Sequence, residues 1–109
     1  MPLALAFTVG RLRCHTLEAG LQRLDGGAMF GVVPKPLWER AIQPDERNRI
    51  PLAMRCLLIE HPDGLVLVDT GAGDKDGAKF RDIYGLENAG RNGATQLEDA
   101  LLEAGHRPE

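Results

Sequence analysis

The chain has 109 residues, enough for one domain and too few for two. An apolar content of 43% supports a core, and 13 basic against 16 acidic side chains leave a net charge of −3. With the basic residues scattered rather than clustered, this balance gives no electrostatic reason to expect nucleic acid or an anionic membrane as a partner.

The opening run Pro2–Val9 is apolar but short of the roughly 18 residues of a membrane span. Its charges, Arg11 and Arg13, follow it, the reverse of a secretory signal, so the expected compartment is the cytoplasm. Leu3–Leu24 alternates apolar and polar residues and is broken by Gly10 and Gly20, which predicts short antiparallel strands in a meander. Asp25-Gly26-Gly27 reads as a turn and Ala28–Val33 as another strand. Pro34 and Pro36 suit the first turn of a helix that carries Leu37, Trp38, Ala41 and Ile42 on one face and stops at Pro44. Asp45–Arg49 is a polar loop, with Arg47 and Arg49 solvated or paired with Asp45 and Glu46.

Leu52–Ile59 and Leu65–Val68 form the clearest strand pair, joined by the turn sequence His61-Pro62-Asp63-Gly64. The second of these is apolar throughout, which predicts a central strand covered on both faces. A short helix is expected around Ala78–Tyr84 and a turn at Asn92-Gly93. Thr95 and Glu98 form a capping box that opens a helix with Leu97, Leu101 and Leu102 as its buried stripe, closed by Gly105. Strands first and helices later place the chain in the α/β or α+β class. Cys14 and Cys56 form no CxxC pair, and two buried free thiols are expected rather than a disulfide.

The chemistry concentrates in Leu65-Val66-Leu67-Val68-Asp69-Thr70-Gly71. An acid at the end of a buried strand, followed by glycine, is held firmly while the backbone turns sharply beside it. The plainer alternative is that Asp69 caps the turn by accepting bonds from backbone N–H groups. The Gly71-x-Gly73 pair is too sparse for a phosphate loop.

Asp-Thr-Gly after apolar residues also occurs in dimeric retroviral-type aspartic proteases, where two aspartates share a proton. That layout needs a Gly-rich hairpin flap after Asp69, and the capped, acidic tail here does not supply one. The whole chain instead resembles the N-terminal part of the metallo-β-lactamase superfamily. Leu24–Trp38 resembles the opening signature of one hydrolase branch, followed by Pro44–Ile50 and the strand Met54–Ile59. Leu67-Val68-Asp69-Thr70-Gly71 is similar to the superfamily's first motif, and Lys79–Gly85 also resembles this branch.

The resemblance implies an αββα sandwich of two similar halves, a mixed sheet with flanking helices. It implies zinc or similar divalent metals, held by His and Asp, that activate a water to attack an ester, lactone or phosphoester. Asp69 would then orient the metal loop through hydrogen bonds without touching metal, a supporting role. Met29, Phe30 and Trp38 would lie near the mouth of a substrate pocket, although Trp38 and Phe30 equally suit a core.

The family's ligands begin with His-x-His-x-Asp-His on the loop after the next strand, and the sequence stops at His106-Arg107-Pro108-Glu109, where that strand is due. His15, His61 and His106 are far apart with no two at ligand spacing, so each reads as an ordinary histidine and no metal site is expected in this chain. The expectation is therefore an inactive single partial domain, residues 1–109, of a parent hydrolase of small molecules. It should self-associate or pair with the missing C-terminal half, because half a sandwich leaves apolar faces open. The competing class is a non-enzymatic half-fold that serves as an interaction module.

Overall fold

A computed structural model describes residues 1–109. Four strands form one antiparallel sheet in the order β1 (Ala4–Val9), β2 (Leu12–Asp25), β3 (Arg49–His61), β4 (Gly64–Val68). The helices are α1 (Gly26–Phe30), α2 (Lys35–Trp38), α3 (Ala78–Ile83) and α4 (Gln96–Glu103). The class is α+β, one of the two that the order of elements implied, and the sheet is wholly antiparallel rather than mixed.

Gly10 turns the chain between β1 and β2 at φ 60°. Gly20 does not break β2 as expected; it sits in a bulge between Glu18 and Leu21 where the register with β3 shifts. The bulge accommodates one extra residue and bends the strand without ending it. A Cβ on Gly20 would meet the Glu87 carbonyl at 2.5 Å, so the close approach of that segment requires glycine.

The core lies on one face of β2 and β3. Leu17 and Ala19 from β2, with Met54, Cys56 and Leu58 from β3, pack against Ala100 and Leu101 of α4. The period of two along each strand puts these side chains on the same face, and α4 covers them. The Thr95 hydroxyl accepts from the Glu98 N–H, and the capping box is complete, so α4 starts where expected. Asp99 adds to this start: its carboxylate accepts from the amides of Arg91 (2.6 Å) and Gly93 (2.7 Å), binding the preceding loop to the first turn. Of the stripe expected on α4, Leu101 is buried but Leu102 is 49% exposed, and Ala100 takes the inner position.

Three expectations need correction. Ala28–Val33 is not a strand: Gly26–Phe30 is a helical turn because Asp25 Oδ1 accepts from the Gly27 N–H at 2.7 Å, and Gly31 closes it at φ 59°. The helix after Pro34 stops at Trp38, and Leu37 is 54% exposed, so of the intended inner face Trp38 is buried and Ile42 half-buried. Strand β4 is not central. It is an edge strand, and Leu65, Val66, Leu67 and Val68 remain 36% to 53% exposed.

Cys14 and Cys56 are buried and free. Arg49 pairs with Asp45 at 3.0 Å, whereas Arg47 reaches Asp82 at 3.2 Å and not Glu46. No helix is long and apolar enough to cross a membrane.

Candidate functional site

The β3–β4 hairpin carries Asp69 to the end of β4 away from the turn, level with the middle of β3, since Val68 pairs with Leu57 and Gly64 with His61. Asp69 adopts φ 70°, a left-handed conformation that non-glycine residues seldom take. Its Oδ1 accepts from the Thr70 N–H at 2.6 Å and the Gly71 N–H at 3.1 Å. The carboxylate thus holds the turn in shape, and the turn in turn holds the carboxylate. Such strain, kept by local hydrogen bonds, is a common property of functional loops.

The loop lies across the sheet. A Cβ on Gly71 would be 3.4 Å from the Ala19 Cβ, and Ala72 packs on the core. Beneath it, burial pushes the Cys56 thiol above its usual range and the nearby Asp69 charge adds to this, with the Gly71 N–H acting the other way. Cys56 is therefore a protonated core thiol rather than a nucleophile. Asp69, Gly71 and Ala72 border a hollow of about 220 Å³ with Gln22, Ala53, Met54 and Arg55.

Sequence reasoning missed Asn88, which steadies this region from below. It is 3% exposed; its Nδ2 donates to the Gly73 carbonyl at 2.8 Å, and its Oδ1 accepts from Arg81 at 2.9 Å. Its own carbonyl accepts from the Gln96 N–H at 2.8 Å, so one buried amide joins the Asp69 loop, α3 and α4. A lone Asn outside any motif gives no sequence signal of such a role.

Met29, Phe30 and Trp38 do not border the Asp69 hollow. Trp38 is 3% exposed and stacks on Phe30, with ring centroids 5.1 Å apart and planes 7° from parallel. A Cβ on Gly26 would run into the Trp38 indole, so this aromatic pair seals the end of the sheet at α1. Met29 is 53% exposed.

The histidines are placed less independently than their spacing implied. His61 stays in the β3–β4 turn, where its Nδ1 accepts from the Asp63 N–H at 3.1 Å. His15 and His106, distant in sequence, both meet Glu60. His15 Nε2 lies 2.5 Å and His106 Nε2 3.6 Å from Glu60 Oε2. The hydrogen bond from His15 holds the Glu60 carboxyl below its usual range against the effect of desolvation, and His106 adds to it. These three form the group of His, Cys, Asp or Glu side chains whose ligand atoms converge; no such group of three forms around Asp69.

No protein-family model matches the chain, and no curated protein does. Among solved structures it is similar to a probable metal-dependent hydrolase from Staphylococcus aureus, with 31% sequence identity and a TM-score of 0.78. The match covers 94% of this chain and 36% of that protein, so the chain spans about a third of its relative's length. At this identity and overlap the two share a fold over the matched residues.

Proposed function

We propose that this chain is the N-terminal part of a metal-dependent hydrolase of the metallo-β-lactamase fold, acting on an ester, lactone or phosphoester. The observation that carries the reading is the likeness to a probable metal-dependent hydrolase along nearly the whole chain. The motif Leu67–Gly71 adds the class of fold. Zinc or a similar divalent ion would supply Lewis-acid chemistry in the parent.

The residues in hand do not fit such an ion at Asp69. Its Oδ1 is taken by two backbone amides, and no group of three donors converges around it. The ligands belong elsewhere in the parent, and the chain alone is inactive. What these residues do is positional: β4 fixes Asp69, Asp69 shapes the Thr70–Gly71 turn, and Asn88 anchors Gly73 behind it. Met29, the exposed member of its aromatic neighbourhood, is the residue of that group best placed to meet a small-molecule substrate. Two buried unpaired thiols suit a cytoplasmic location.

The test is hydrolysis of an aryl ester, a lactone and an aryl phosphodiester by the longest coding product that contains these residues, with and without chelator. Chelator-sensitive turnover is expected, about 10- to 100-fold lower in Asp69→Asn, while the 109-residue chain alone turns over none of the three. A longer product that binds no metal and hydrolyses none of them would sink the proposal.

A second reading, a non-enzymatic pairing module, is favoured by one observation, the apolar and unpaired edge of β4. Such an edge presents open backbone donors and acceptors beside apolar side chains, which suits a second copy or the remainder of a parent protein. Concentration-dependent association in sedimentation is expected on either reading. A sharp monomer with cooperative unfolding would exclude the module.

A further inference from the structure

The register of β2 and β3 places Arg13 opposite Glu60, and His15 lies two residues further along β2 on the same face. That face is the one α4 covers. Gly105, at φ 92°, turns the chain after α4, and the His106 N–H then donates to the Leu101 carbonyl at 2.9 Å. The turn lowers the His106 ring onto the sheet, 6.2 Å from the His15 ring and steeply tilted to it. The ligand atoms of His15, Glu60 and His106 all lie within 4.8 Å of one another. Glu60 pairs with Leu65, near the hairpin turn, so this cluster stands at the turn end of β4 and Asp69 at its other end.

We propose that His15, Glu60 and His106 bind a divalent ion of the zinc class, with water completing the site, and that the ion fastens the segment after α4 to the sheet. Two imidazole nitrogens and one carboxylate oxygen are a donor set such ions accept, and three protein ligands leave a fourth position open. In a tetrahedral site with bonds of roughly 2.0–2.2 Å, ligand atoms stand about 3.3 Å apart. The present spacings bracket that value, so small movements of the two more exposed partners bring all three into place. The His15 side chain is 4% exposed and fixed by the core, whereas those of Glu60 and His106 are 34% and 25% exposed and able to adjust. Arg13 Nε, 3.7 Å from Glu60 Oε2, is the competing cation; its side chain is 64% exposed and can swing into solvent. The site is independent of the hydrolase reading, because none of its residues lies in the Asp69 loop or its hollow.

Cobalt(II) titrated into the 109-residue protein near neutral pH tests this by its visible d–d bands, with zinc added afterwards to displace it. One cobalt per chain is expected, with bands of tetrahedral intensity that zinc abolishes. Glu60→Gln and His106→Ala should each weaken binding by about tenfold or more, while His61→Ala leaves it unchanged. Far-UV circular dichroism on every sample separates loss of ligand from loss of fold. Absence of bands on the folded wild-type chain at excess cobalt would overturn the proposal and leave a purely hydrogen-bonded His–Glu–His clamp. Binding that survives in both folded variants, or that vanishes in His61→Ala, would overturn it equally.

Discussion

Two regions of the β2–β3–β4 sheet have met opposite fates. Where α4 lies on β2 and β3, Leu17 and Ala100 are wholly buried, and Cys56 and Leu58 are 2% exposed. Along β4, the four consecutive apolar residues Leu65–Val68 remain 36% to 53% exposed. The difference is one of coverage and not of composition. A capped helix returns to the first region, while nothing within these residues returns to the second.

The comparison breaks first if the covered face is not the source of stability. Leu17→Ala removes a fully buried side chain from between the sheet and α4, and it should cost about 2–5 kcal/mol, read by urea unfolding. Next is Gly26→Ala, where the new methyl collides with the Trp38 indole; overpacking of this kind costs about 1–3 kcal/mol. If Gly26→Ala proved neutral, the Phe30–Trp38 pair would be a movable flap rather than part of the frame.

Much of the covered region was legible in the sequence because its signals are local. Thr95 and Glu98 are three residues apart and satisfy each other's backbone, so the start of α4 could be read directly. The Pro62-Asp63-Gly64 turn fixed the β3–β4 hairpin in the same way. Two readings failed through competition at short range. Asp25 capping Gly27 turned an apparent strand into a helix, and the bulge absorbed Gly20 without ending β2. The position of β4 was misread for another reason. An apolar run does not encode whether a second strand lies beside it, and β4 pairs with β3 on one side only. The Asp69 loop was legible as a motif, but its support by Asn88 and the meeting of His15 with His106 depend on tertiary pairing that spacing does not encode.

Acid should loosen the loop that Asp99 ties to the start of α4. Backbone N–H bonds from Gly93 and then Arg91 hold the Asp99 carboxyl below its usual range against desolvation, with the Asn92 N–H and the Arg91 charge adding less. A depressed folded-state pKa means that the unfolded chain binds the proton more readily. The contribution of Asp99 is therefore fully present above the ordinary carboxylate range and is lost as pH falls through that range to the folded value. Wild-type stability should decline over that window, and Asp99→Asn should flatten the decline while lowering stability at neutral pH. An unchanged pH slope in the variant would mean that the loop at Arg91–Gly93 is held by something other than this charge.

The smallest expected change in stability sharpens the comparison most. Val66 is 46% exposed, and Val66→Thr on an edge strand should alter the unfolding free energy of the isolated chain by no more than about 0.5 kcal/mol. Its effect should appear instead in association, because a hydroxyl placed within an apolar contact loses hydration without a guaranteed partner. If β4 is a surface built to be covered, Val66→Thr weakens concentration-dependent association in sedimentation while leaving the denaturation midpoint of dilute protein in place. If both stay constant, β4 tolerates water as it stands, and the contrast between the two regions reflects only where α4 happens to reach.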